Sequence, residues 1–181
     1  MAIQAGTYTL GPEHGTLSVR TQRTGAAAKA GHNLLLHVTV WHATLEVGED
    51  PAESSIALDA DATSLRVQEG TGGMQALGED DKASIEQTIG DEILTDARIA
   101  FRSTAVHAAD DGSRLSVEGE LTLASKTAPI AFELAVGADG TLDGSAVVKQ
   151  TDWGIKPYST LFGALKVADE VEIVFDASLP G

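Results

Sequence analysis

The sequence predicts an all-β domain carrying one short helix, folded as an extended antiparallel β-barrel of about eight strands. Three observations predict it. Apolar and polar residues alternate with period two along much of the chain. Asp-Gly turn signals separate several of the alternating runs. Only between Gly70 and Ile93 does the spacing become helical. A flat sheet with this many strands would expose long edges that invite aggregation, so a sheet curled onto itself fits better.

Along the chain, Thr7 to Leu10 and Thr16 to Thr24 read as a first hairpin broken by Gly11-Pro12. A long run from Leu34 to Val47 follows, then Ser55 to Asp61 and Thr63 to Val67. Gly70-Thr71-Gly72-Gly73 reads as a flexible loop. It resembles a phosphate-cradling loop only in its glycines, because the Gly-Lys-Ser/Thr ending is missing. Glu79-Asp80-Asp81 then opens a helix with negative charge at its positive end. Ile85 and Ile89, four apart, give that helix an apolar face, and Gly90 ends it.

The second half alternates more cleanly. Ile99, Phe101, Ser103 and Ala105 share one face of a strand, and Leu115, Val117, Gly119, Leu121 and Leu123 share one face of the next. Asp110-Asp111-Gly112-Ser113 joins those two as a turn. Lys126-Thr127-Ala128-Pro129 reads as another short connection, since proline is disfavoured inside central strands. Ile130, Phe132, Leu134 and Val136 form a third strand face, and Ala138-Asp139-Gly140 turns into Thr141 to Gln150. Val171, Ile173, Phe175, Ala177 and Leu179 complete the pattern. No repeat or linker divides the chain, so residues 1–181 read as one domain.

With 181 residues the chain can bury roughly 70% of its unfolded surface without disulfide or metal staples. Cysteine is absent, which excludes disulfides, thiolate metal sites and cysteine nucleophiles. The formal net charge of -15 repels nucleic acid and anionic headgroups at long range. It argues against nucleic-acid binding and peripheral membrane docking, for solubility and for a monomer, with a homodimer the oligomer left open. No apolar run reaches the roughly 18 residues of a membrane span, so no stable insertion is expected. Met1-Ala2-Ile3-Gln4-Ala5-Gly6 has neither the basic start nor the apolar run of a secretory signal, so the expected location is cytoplasmic.

Few residues suggest chemistry. His32, His37 and His42 recur every five positions, but an odd spacing on a strand points neighbours to opposite faces. Zinc needs three or four converging ligands, so no metal and no cofactor are expected. Asp59 with Asp61, and Glu79-Asp80-Asp81, read as solvated acids lacking the rest of a calcium loop. No Gly-x-Ser-x-Gly elbow or other nucleophile signature occurs. His32, freed by Gly31 just ahead of an apolar strand, has two readings: a polar group at a barrel mouth, or a residue tying down the entry loop. Gly119, Gly144 and Ala146 are small where a filled barrel wants bulk, which argues for an apolar cavity.

Four segments carry a resemblance. Lys29-Ala30-Gly31-His32-Asn33-Leu34, Asp91-Glu92-Ile93-Leu94 through Arg98-Ile99-Ala100-Phe101, and Val117-Glu118-Gly119-Glu120-Leu121-Thr122-Leu123 with Lys126-Thr127 are three. The fourth is Gln150-Thr151-Asp152-Trp153-Gly154-Ile155, followed by Val167-Ala168-Asp169-Glu170-Val171. In order and spacing they resemble the YceI-like family over nearly the whole chain. Gln150 stands where arginine is usual, and Gly31-His32-Asn33 replaces a His-Ser pair. The resemblance implies a lipocalin-like antiparallel barrel whose tunnel holds polyisoprenoid chains.

The leading expectation is therefore binding, transport or storage of a polyisoprenoid, prenyl quinone or similar long lipid, without catalysis. Strand parity nominates Leu34, Leu36, Val38, Phe101, Leu121, Phe132 and Val148 as interior contacts. Trp153 and Phe162 are nominated near an open end, with His32 as a polar contact. Two alternatives stand beside it: an enzyme using the barrel as a chamber with His32 as acid/base, and a stress-linked structural or interaction protein with a filled core.

Overall fold

The computed structural model describes residues 3–181; Met1 and Ala2, where the reading of the N-terminus begins, lie outside them. The strands are β1 (Gly6–Leu10), β2 (Gly15–Thr21), β3 (Arg23–Thr24), β4 (Asn33–Val38), β5 (Trp41–Val47), β6 (Ser55–Asp61) and β7 (Leu65–Thr71). The helix α1 (Glu79–Thr88) follows. Then come β8 (Arg98–Ala108), β9 (Arg114–Leu123), β10 (Lys126–Val136), β11 (Thr141–Lys149), β12 (Ser159–Thr160), β13 (Leu165–Val167) and β14 (Glu170–Ser178). The chain is mostly β with one α-helix.

The expected ring of about eight strands is corrected to one curled, open antiparallel sheet of 11 strands. Its order is β1-β5-β6-β8-β9-β10-β11-β14-β2-β4-β7, with β1 and β7 at the ends. The count rises because long runs break. Thr39 and Val40 interrupt the run Leu34–Val47, dividing it into β4 and β5, and a 3-10 turn at Ala62–Ser64 divides β6 from β7. These breaks meet. Thr39 N–H donates to Ser64 O at 3.2 Å, Val40 N–H to Ser64 Oγ at 2.9 Å, and Asp61 N–H to Val40 O at 3.1 Å. A seam of turn and side-chain bonds thus stands where a regular barrel would continue its ladder.

Other sequence expectations shift at specific places. The pair β1 and β2 is no hairpin: β1 pairs with β5, and β2 pairs with β14 and β4. The β9–β10 turn is Ala124-Ser125, with φ of 47° and 64°, and Pro129 lies inside β10 opposite Glu120. Proline is tolerated there because β10 meets β11 only from Glu133 to Val136, which leaves an open edge beside Pro129. Gly90 does not end the helical segment, which continues as a wider turn over Ile89–Ile93, closed by Leu94 N–H to Ile89 O at 2.7 Å. Gly70 and Thr71 belong to β7, so the loop begins at Gly72.

Curling has a local cause. Register shifts interrupt the β4–β7 pairing at Leu35/Leu36 and the β8–β9 pairing at Ser103/Ala105. An extra residue in one strand bends it and increases the twist. At the second shift the Ser103 hydroxyl accepts Ile56 N–H at 2.8 Å, so the bulge leaves that donor satisfied.

Curling places the odd residues of β2 and the even residues of β4 and β11 inside. One part of the interior is packed solid by Val106, Leu115, Val117, Val136 and Ala177, all buried. There Trp41 meets Phe175 edge-on, with ring centroids 5.6 Å apart. A second, three-stranded sheet, β12-β13-β3, covers the other end. It is moored by Ala27 N–H to Ala164 O at 2.7 Å and Ala168 N–H to Gln22 O at 2.8 Å.

Candidate ligand-binding cavity

A cavity of ≈ 530 Å³ lies inside the curled sheet. Its walls are Leu and Val side chains of β2, β4 and β11, Phe101 of β8, Leu121 of β9, and Phe132 of β10. Phe101 and Phe132 meet at 5.3 Å between ring centroids, forming a tilted aromatic corner. The helix completes the wall with Ile85 and Ile89, followed by Ile93 and Leu94. Glu86 fixes that helix to the sheet by accepting Val67 N–H at 3.0 Å. The volume falls within the range of about 300–1,000 Å³ usual for small-molecule sites.

Of the residues nominated from sequence, His32, Leu34, Leu36, Val38, Phe101, Leu121, Phe132 and Val148 line this cavity. Trp153 and Phe162 do not. Trp153 follows β11 and is buried, its indole N–H donated to Leu121 O at 2.8 Å. It fills the splay that opens where β10 and β11 cease to pair, above Glu133 and Ser145. Phe162 projects into solvent at the tip of the β12–β13 connection.

The sequence reading named none of the helix residues as contacts, although Ile85 and Ile89 carried the signal in their spacing. It also passed over Leu17, Val19, Val171, Ile173 and Phe175, which alternate inward as plainly as those it chose. Gly119 is corrected in meaning. The Phe101 ring lies over it, and a Cβ there would stand 2.5 Å from the ring's Cζ, so Gly119 admits an aromatic side chain and leaves no void. Gly144 and Ala146 do line the cavity.

Polar groups collect towards the end covered by the small sheet. His32 lines the cavity and its Nε2 lies 2.6 Å from Gln75 O. A carbonyl only accepts, so Nε2 carries the proton. The ring also rests on Gly73, where a Cβ would lie 2.4 Å from Nε2. His32 therefore joins its two sequence readings: it ties down the loop after β7 and faces the cavity. Gln150 is buried and lines the cavity, with Nε2 donating to Ala168 O at 3.0 Å. Beyond it, Thr151 donates its hydroxyl to Asp169 at 2.6 Å, and this hydrogen bond holds the Asp169 carboxyl below its ordinary value.

Thr21 is different. Its Oγ1 is buried without a hydrogen-bond partner, and Thr21 lines the cavity. A buried hydroxyl left without a partner costs about 1–3 kcal/mol. Water is a poor guest elsewhere in the cavity, because an ordered water needs two to four polar partners. An apolar chain recovers the dispersion contacts that the walls otherwise lack.

A YceI-like domain model matches residues 8–179. The chain belongs to the YceI-like family. A comparison with curated proteins finds no match. Among solved structures, BcnA of Burkholderia cenocepacia has a TM-score of 0.65 at 20% identity, covering 90% of this chain and 94% of that one. The YceI protein of Campylobacter jejuni gives 0.53 at 13% identity, covering 81% and 84%. A mutant CJ YceI protein with a monobromobimane guest gives 0.56 at 13% identity, with the same coverage. At these identities the likeness establishes the fold.

This YceI-like chain thus presents a cavity suited to an apolar ligand. The filled interior of the structural alternative is not what the fold contains. Among the described residues, no three His, Cys, Asp or Glu side chains converge as a metal site, and no helix is long and apolar enough to cross a membrane.

Proposed function

We propose that this YceI-like protein binds and carries or stores a long isoprenoid, such as a prenyl quinone, with its chain in the cavity and an oxygen-bearing end near Thr21. The observation that carries the reading is the pairing of an apolar cavity with one unpartnered buried hydroxyl on its wall. Burial of hydrocarbon contributes about 25 cal/mol per Å². A chain of several isoprene units is therefore held without any charged motif, which agrees with the lack of one in the sequence. His32, Leu34, Leu36, Val38, Phe101, Leu121, Phe132 and Val148 are its proposed contacts, and Ile85 and Ile89 join them.

No specific observation favours the enzyme reading. His32 spends its Nε2 proton on a backbone carbonyl. Native mass spectrometry of freshly purified protein, then of protein incubated with a prenyl quinone, tests the proposal. A one-to-one adduct that survives desalting is expected. A protein that stays unliganded after incubation would overturn the reading.

A further inference from the structure

The β12–β13 connection presents a feature that ligand enclosure does not use. Phe162 is 113% exposed and Leu161 54% exposed at its tip. Both sit in left-handed backbone, with φ of 55° and 50°, a region that glycine and asparagine occupy far more readily than large apolar residues. These side chains contribute nothing to the core. The same hairpin reaches the cavity, because Tyr158, Leu165 and Lys166 line it. Whatever surface receives the tip therefore also lies against the end of the cavity that this hairpin covers.

The charge around the tip opposes that of the whole molecule. Although the formal net charge is -15, no Asp or Glu occurs from residue 14 to 45 or from 153 to 168. Those segments meet here: Lys166 pairs with Thr24, and Val167 with Arg23. They bring Lys29, Lys156 and Lys166, all exposed, to the same end as Arg23. The three lysines enter no ion pair among the described residues. Lys166 lies along the tip, its Cε 3.4 Å from where a Gly163 Cβ would be. The acids of this end are Glu69 of β7, Glu79–Asp81 at the start of α1, and Asp152 and Asp169, of which Asp169 is occupied by the Thr151 hydroxyl. At physiological ionic strength the Debye length is about 8 Å, so the negative charge on the rest of the molecule is largely screened from a surface docked at this tip.

We infer that the Leu161–Phe162 tip and the lysines of this end dock the protein onto an anionic lipid bilayer, with the hairpin-covered end of the cavity against the membrane. Two apolar residues are far too few for a standard protein interface of about 800 Å² per partner. They suit the headgroup boundary, where apolar side chains insert without shape matching and nearby cations add attraction. A symmetric second copy would set these unpaired lysines against each other. This inference goes beyond ligand enclosure: a cavity found empty by mass spectrometry leaves its test unaffected.

Vesicle flotation tests it, with phosphatidylglycerol–phosphatidylcholine vesicles compared against pure phosphatidylcholine. The wild-type protein should float with the anionic vesicles, less so as salt rises, and at most weakly with the zwitterionic ones. The double variant Leu161→Asn/Phe162→Asn keeps the left-handed backbone comfortable and should retain the melting temperature while losing at least tenfold in partition. Lys156→Glu should cost about fivefold or more, since each cation near such a surface counts for roughly that factor. Wild-type protein that stays with the unbound fraction would overturn the inference, as would equal partition of the double variant. Dimerisation abolished by the double variant, without vesicle binding, would overturn it in favour of self-association.

Discussion

The indole N–H of Trp153 donates to the carbonyl oxygen of Leu121 at 2.8 Å, and both groups are buried. One residue lies in the turn after β11 and the other on β9, so the bond spans the splay left where β10 parts from β11. The ring fills the gap, and the bond ties it to β9 at Leu121, which lies between Phe101 of β8 and Ala128 of β10. Trp153→Phe keeps most of the ring and removes the donor. Losing that bond costs about 0.5–1.5 kcal/mol, or a fall of roughly 1–6 °C in melting temperature for a domain of this size. Scanning calorimetry reads the change; an unaltered transition would mean the bond contributes nothing.

Thr21 makes the opposite kind of prediction. Its buried hydroxyl has no partner, so Thr21→Val should raise the stability of the ligand-free protein by about 1 kcal/mol. The same change should weaken binding of a prenyl quinone several-fold while leaving a pure hydrocarbon such as squalene unaffected. Paired urea titrations and fluorescence competition with the two ligands check both halves.

Ala146 faces the cavity from β11 and is only half-buried by its neighbours. Ala146→Phe should place a ring in space that a guest would occupy. We expect at least a tenfold loss of ligand binding, because a filled pocket no longer accommodates the chain. The melting temperature of the empty protein should hold or rise. Isothermal titration with the ligand identified by mass spectrometry distinguishes plugging from misfolding.

Acid should destabilise the protein in a defined direction. Asp61, Asp96, Asp111, Asp139 and Asp169 accept hydroxyl hydrogen bonds from Thr63, Ser125, Ser113, Thr141 and Thr151 respectively, and these bonds hold each carboxyl below its ordinary value. A carboxyl depressed in the folded state adds stability that is complete above the unfolded value and is lost as pH falls through the folded one. The loss therefore belongs to the acid side of the ordinary carboxylate range. Asp169→Asn should be less stable than wild type near neutrality and should lose less on acidification from about pH 6 to about pH 3. Denaturant unfolding at several pH values gives the slopes; parallel curves would remove Asp169 from the account.

Local pattern made much of this protein legible. Period-two alternation identifies β8, β9, β10, β11 and β14, because successive side chains on a strand must point to opposite faces. The same parity selects Leu34, Leu36, Val38, Phe101, Leu121, Phe132 and Val148, all of which line the cavity. The Asp-Gly turn at Asp111-Gly112 was equally plain, since Gly112 has the positive φ of 70° that such turns need. Ala124-Ser125 was hidden, because two non-glycine residues adopt positive φ there without any compositional cue.

By itself the sequence determined a β-rich domain with one helix, the two faces of its regular strands and the apolar character of what those faces enclose. These follow from backbone geometry and from residue chemistry acting over a few positions. Only the tertiary structure decided that the ladder breaks at Thr39–Val40, that Trp153 plugs a splay instead of touching the cavity, and that Phe162 stands in solvent. It alone left Thr21 Oγ1 without a partner and gathered Lys29, Lys156 and Lys166 at one end of an acidic molecule. Such outcomes depend on which distant segments meet, and distance along a chain carries no record of that.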